Sequence, residues 1–311
     1  MLWLARKSLK CSICIGLIAA SISAAPAFAA DPATCTDLQG RYDGTKSAMT
    51  AIEVSTTLFS ATDRGCTDLV MRLLDNGASF DARDRFGARP LSHAARAGQM
   101  AIVDLLLTRG APIDARNLAG ATALFTAIEA GQSDVARKLI DRGADVNLAG
   151  RSDLTPLTVA AFKRDDTLVA ALLAKKANPA AVDRTGKTAI VYAAVRGALP
   201  IVRRLLDQGI DVNARYGNDL TALMWAAGYD ENIATADGTR TVAFLLDHGA
   251  HIDDRDNRGR SALMIAAEQG HAEVVDLLLS RGADARAKDN AGKMAADLTT
   301  STALKERLMR R

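Results

Sequence analysis

The feature that most constrains this chain is a spacing. Apolar residues that follow a Thr-Pro or Thr-Ala pair, or its equivalent, fall at Leu58, Leu91, Leu124, Leu157, Ile190, Leu223, Leu263 and Ala296; the steps between them are 33 throughout, except for one of 40. A second landmark, the glycine after Leu-Leu or Leu-Ile, recurs at Gly77, Gly110, Gly143, Gly209, Gly249 and Gly282, followed by Ala except at Ile210, and Lys176 holds the missing place. A period of this length marks a repeat architecture, in which a short unit buries its apolar side against the next copy. At 311 residues the chain is too long for one ordinary compact core, and an array accounts for that length.

Each unit reads as two helices. Thr122, Thr155, Thr188, Thr221 and Ser261 stand where an N-cap belongs, and Pro90 and Pro156 suit a first helical position. The pairs Ala94-Ala95, Ala160-Ala161, Ala193-Ala194, Ala226-Ala227 and Ala266-Ala267 keep the first helix thin, so that neighbours approach closely. Ile102-Val103 with Leu105-Leu106-Leu107, and Val274-Val275 with Leu277-Leu278-Leu279, supply the apolar face of a second helix. The glycine that follows predicts a left-handed C-cap. Thin helices also explain a composition in which about one residue in five is Ala while aromatics are 4%. The expected fold is all-α, a solenoid of stacked helix-turn-helix units with hairpin-like loops, capped at both ends.

The runs Gly120-Ala121-Thr122-Ala123-Leu124, Gly186-Lys187-Thr188-Ala189-Ile190 and Gly143-Ala144-Asp145-Val146-Asn147 carry a resemblance to a known family, the ankyrin repeat. It covers residues 51–298, as about seven full units and a partial eighth. The resemblance implies a partner protein bound at hairpin tips and first-helix ends. Carried over by position, the tips are Arg85, Phe86, Leu118, Arg151, Leu154, Arg184, Lys187, Tyr216, Leu220, Arg258 and Arg260. The helix ends include Arg96, Phe162, Lys163, Arg196 and Tyr229. Basic residues lead this set, while Asp75, Asp104, Asp134, Asp141, Asp207, Asp247 and Asp276 belong to second helices. The expectation is a basic concave groove against an acidic back, fitted to a partner with an acidic surface; ordinary solvated loop charge is the alternative.

Both ends depart from the repeat. Residues 1–29 read as a secretory signal: Arg6, Lys7 and Lys10 precede an apolar run of about fifteen residues, and Ala27-Phe28-Ala29 supplies a small-x-small site cut between Ala29 and Ala30. An uncleaved anchor is the alternative. The leader holds three basic residues and no acid, so its removal turns a net charge of +3 into 36 against 36. It also takes Cys11 and Cys14, leaving Cys35 and Cys66. In an oxidising compartment these suggest one disulfide worth about 3–4 kcal/mol on the chain-entropy model, with two free thiols as the alternative. Residues 30–50 match no repeat and are expected to cap one end; 299–311, with Leu304 and Leu308 among charged residues, is expected to close the other as a helix.

Two departures lie inside the array. Arg164 and Lys176 replace turn and C-cap glycines of the fourth unit, so that unit is expected to be locally weaker. The step of 40 places seven extra residues near 229–238 in the sixth unit, as a recognition loop, a solvated loop or a packing lid on the next unit. Chemistry is sparse. No P-loop, dinucleotide fingerprint or Gly-x-Ser-x-Gly is present, and a turn at Gly249 breaks any alignment of His248 with His251 as metal ligands. No catalytic residue, metal or cofactor is expected. The leading expectation is a non-catalytic, monomeric scaffold of the bacterial periplasm that binds another protein, with no nucleic acid and, once the leader is cut, no membrane. The alternatives are a secreted effector acting on host proteins, an accessory or stabilising factor for a periplasmic enzyme, and an enzyme with an unrecognised site.

Overall fold

A computed structural model describes residues 32–310; the leader, with the Ala29 and Ala30 cleavage pair, lies outside the described residues. Among the described residues every regular element is a helix, and they fall into two compact parts, 32–178 and 179–310.

The first part contains α1 (Pro32–Thr45), α2 (Ala51–Asp63), α3 (Thr67–Asp75), α4 (Pro90–Ala97), α5 (Met100–Thr108), α6 (Ala123–Ala130), α7 (Ser133–Asp141), α8 (Pro156–Phe162) and α9 (Asp166–Ala174). From α2 onward they pair as first and second helices. α6 shows why the sequence folds this way. The Thr122 hydroxyl caps it by accepting from the Phe125 N–H at 3.2 Å, and Gly131, at φ +78°, ends it in the left-handed region. Between them Ala123, Leu124, Phe125, Ala127 and Ile128 are all buried, as a helix pressed from both sides requires. α7 buries only Val135, Ala136, Leu139 and Ile140, one stripe of an amphipathic helix.

The first unit differs from the rest. α2 runs for 13 residues where α4 has eight, and a capping box of Thr50 and Glu53 starts it, with the Thr50 N–H donating to Glu53 Oε2 at 2.7 Å. The extra turns occupy the place that a hairpin tip takes in later units. A disulfide joins Cys35 in α1 to Cys66, the N-cap of α3, and Asn76 donates to the buried Tyr42 hydroxyl at 3.0 Å.

The second part contains α10 (Ala189–Val195), α11 (Leu199–Asp207), α12 (Ala222–Ala227), α13 (Thr235–Asp247), α14 (Ala262–Gln269), α15 (Ala272–Ser280), α16 (Ala295–Leu298) and α17 (Thr302–Met309). Leu304 and Leu308 of α17 are buried while Met309 is exposed. The sixth-unit insertion is split between loop and helix. α13 has 13 residues against nine in α7, so four of the seven extra residues add one turn at its start, and the others form the connection from α12.

Much of the expected acidic back is neutralised by pairing. Asp75 pairs with Arg109 at 2.9 Å and Asp104 with Arg142 at 2.7 Å in the first part; Asp247 pairs with Arg281 and Asp276 with Arg307, both at 2.6 Å, in the second. Each of these four acids meets a base carried by a following helix, so that part of the expected acidic back becomes a ladder of ion pairs, while Asp141 and Asp207 are exposed.

Left-handed backbone concentrates where glycine is missing. Arg164 and Lys176 adopt φ of +62° and +63°, which the lost glycines explain. Ser152, Asp153, Asn218 and Asp219 are left-handed too, inside short 3-10 turns at Arg151–Asp153 and Gly217–Asp219. Four of the six non-glycine residues with positive φ among the described residues therefore belong to the fourth unit.

Candidate protein-interaction surface

Five of the hairpin tips share one device. Asp84, Asn117, Asp183, Asp256 and Asp289 each accept, through a side-chain oxygen, backbone N–H groups two and four residues ahead, and a left-handed glycine (Gly87, Gly120, Gly186, Gly259, Gly292) turns the chain. The residues between project outward. In the tip of 84–87, Arg85 lies 4.7 Å over the Phe86 ring and both are exposed. In the next, Leu118 is 80% exposed, and its N–H donates to the Phe86 carbonyl at 3.0 Å, so these two tips lie side by side.

The other two tips lack both parts of the device, because Gly150 and Tyr216 stand in the Asp/Asn place and Asp153 and Asp219 in the glycine place. Here the sequence expectation is corrected. Leu154, Tyr216 and Leu220 are buried and present nothing to a partner. Leu154 and Leu220 directly precede the N-caps Thr155 and Thr221, a position where an apolar side chain packs inward against its helix. Tyr216 takes the inward place of the capping Asp.

Arg260, also directly before an N-cap, is buried as well. Its guanidinium is held by Asp256 at 2.8 Å and Glu268 at 2.9 Å, so it braces its own tip. Tyr229 is the fifth correction. It is buried, stacked on His271 with ring centroids 3.8 Å apart, and a Cβ on Gly238 would meet its ring at 2.4 Å. Burial pushes the His271 imidazole below its ordinary pKa, and its Nδ1 pairs with the Ala227 carbonyl at 2.9 Å.

The inserted segment is therefore packed through Tyr229, Ile233 and Gly238, while Glu231, Asn232 and residues 234–236 are exposed. The Asp230 N–H donates to the Val195 carbonyl at 3.0 Å and its carboxylate pairs with Arg196 at 2.9 Å, while a Cβ on Gly197 would press Ile233 at 3.0 Å. Beyond Tyr229, which packs on the next unit as expected, it closes over the turn after α10, on the preceding unit.

The remaining predicted residues sort by partner. Arg96 pairs with Asp63 at 3.1 Å and Arg151 with Glu129, and Arg196 is bound as above. Burial works against ionisation of Asp63, but hydrogen bonds and charge from His93 and Arg96 hold its carboxyl below the usual range. Arg184, Lys163 and Arg258 are exposed, Phe162 is half-buried, and Lys187 lies 5.0 Å over the Trp225 ring. Among the described residues Arg85, Lys163, Lys187 and Arg258 make no ion pair with Asp or Glu. The basic character thus sits at separate tips rather than along an unbroken groove. No three His, Cys, Asp or Glu side chains among the described residues are grouped as metal ligands, and His248 instead turns its Nδ1 to the Phe244 carbonyl at 2.8 Å.

A family model for ankyrin repeats matches three consecutive stretches, 58–150, 148–216 and 214–289. The chain belongs to the ankyrin repeat family. Its ankyrin array is a protein–protein interaction scaffold. The human ankyrin repeat domain-containing protein 63 is 42% identical over 83 residues, 27% of this chain and 20% of its own length. Delta-latroinsectotoxin-Lt1a of Latrodectus tredecimguttatus is 39% identical over 85 residues, 27% of this chain and 6% of its own. The palmitoyltransferase Hip14 of Drosophila melanogaster is 33% identical over 97 residues, 31% and 14% respectively. This chain spans at most a fifth of the length of these relatives, so what they share with it is the ankyrin repeat. Among the described residues no helix is long and apolar enough to cross a membrane.

Proposed function

We propose that this protein is a non-catalytic, monomeric scaffold of the bacterial periplasm, binding a partner protein with an acidic surface through its exposed tips. The observation that carries the reading is the set of outward basic side chains without acidic partners, among them Arg85, Lys163 and Arg258, interleaved with the exposed Phe86 and Leu118. The basic leader ending in Ala27-Phe28-Ala29 supports export, and a Cys35–Cys66 disulfide suits an oxidising compartment.

Reversing Lys163, Arg184 and Arg258 to Glu together should reduce the partner recovered by cross-linking in intact cells about tenfold, with Trp225 fluorescence unchanged as the folding control. Undiminished recovery of every partner would refute the tip assignment. Osmotic-shock fractionation tests the compartment: release with the periplasmic contents supports the reading, and recovery from the culture medium moves the site of action outside the cell.

A further inference from the structure

The first unit builds a cleft against the tip that follows it. Where later units have a hairpin tip, it has the extension of α2, five residues longer than α4, and that helical wall faces the tip of 84–87. The space between is about 690 Å³, within the range of sites that hold a side chain or small ligand.

Its lining divides by chemistry. Ile52 and Phe59 share one face of α2, while Leu58, Ala61 and Thr62 are buried. Phe86 closes the other side. Ile52 is 78% exposed and Phe86 57%, and the neighbouring Leu118 extends the same apolar strip. Single exposed apolar residues are ordinary, but exposed Ile52 and Phe86 lining one cleft with the half-buried Phe59 mark a docking place.

Charge surrounds this strip. Arg83, Arg85 and Arg96 all line the cleft and are exposed. The acids nearby are already engaged. Asp63 is taken by Arg96 and by His93 Nδ1 at 3.0 Å; Asp84 accepts the Phe86 and Ala88 N–H groups and lies 3.2 Å from His93 Nε2. Arg83 and Arg85 remain without an ion pair among the described residues, so the cleft is apolar at its floor and positive at its rim. His93, clamped between the two carboxylates and in ring contact with Phe59 at 4.6 Å, fixes the floor.

We infer that this cleft anchors the partner through an acidic segment bearing one large apolar side chain, which enters between Ile52, Phe59 and Phe86 while flanking carboxylates meet Arg83 and Arg85. The inference rests on the scaffold reading and sharpens it to one anchoring point and one partner chemistry. A buried apolar or aromatic anchor within a polar rim is the arrangement that concentrates binding energy at protein interfaces.

The test is a random-peptide display library panned on the purified, oxidised protein. The enriched peptides should share a large apolar residue flanked by Asp or Glu. Phe86→Ser and Arg85→Glu should each weaken the best peptide by about tenfold or more, whereas Lys305→Glu, an exposed side chain of α17 outside the proposed binding surface, should leave it unchanged. Both altered side chains are exposed, so circular-dichroism melting should confirm an intact fold. Enriched peptides without acids, or binding that survives both variants, overturns the anchor and leaves the scaffold reading standing. A library that yields no binder also overturns it, and the scaffold reading then stands or falls on the cellular cross-linking, which uses other residues.

Discussion

The two helices appended to the array, α1 at its start and α17 at its end, are held by different chemistry. α1 has one buried aromatic, Tyr42, a hydrogen bond from Asn76, an ion pair between Asp43 and Arg72, and the covalent Cys35–Cys66 bond. α17 has no cysteine and relies on Leu304 and Leu308, each 3% exposed, beneath a cap in which Ser301 accepts from the Leu304 N–H. The difference teaches how an array can close an end. A repeat unit leaves one apolar side open, and either a small amphipathic helix covers it by packing or a poorly apolar one is fastened there. Fastening makes one end sensitive to redox conditions and leaves the other indifferent.

The sharpest way to break that contrast is to cut the bond. Replacing Cys35 and Cys66 by Ser should cost about 3–4 kcal/mol in urea unfolding followed by circular dichroism, since the bond closes a loop across a separation of 31 residues. Trp225, buried in the second part and the one tryptophan beyond the leader, should show a smaller shift than the whole-chain signal. An equal shift in both signals would mean that α1 supports the entire molecule. Next in size, Leu308→Ala should cost about 2–4 kcal/mol at the other end, with the same loss in the presence and absence of reductant. A redox-dependent loss there would dissolve the comparison. Smallest is Arg307→Ala, which removes the exposed pair with Asp276 and should change stability by about half a kcal/mol or less. A larger change would show that charge, and not leucine, holds α17.

The fold was almost wholly legible, because a period of 33 with N-cap threonines and C-cap glycines is local information repeated along the chain. The interaction surface was only half legible. Leu154, Leu220 and Arg260 read as tips because their positions are counted from the repeat, whereas their inward direction depends on preceding an N-cap. A signal was present for two of them. The tips that lose their Asp or Asn also lose the glycine three residues later, as Gly150 with Asp153 and Tyr216 with Asp219 show. Tyr229 was hidden differently, since its partners Gly238 and His271 are set by how seven inserted residues divide between loop and helix. The loss of net charge at Arg96, Arg151 and Arg196 came from acids on neighbouring units, which no periodicity announces.

The ladder of pairs along the second helices has a consequence for encounter. Alternating opposite charges a few ångströms apart cancel within about one Debye length, so an approaching molecule feels little field from that side. Unpaired cations such as Arg85 and Arg258 are not cancelled, and a charged cleft raises the capture rate of an oppositely charged body before any contact forms. Within the first part, paired acids on the second helices and unpaired Arg83 and Arg85 at the cleft give encounter a preferred side.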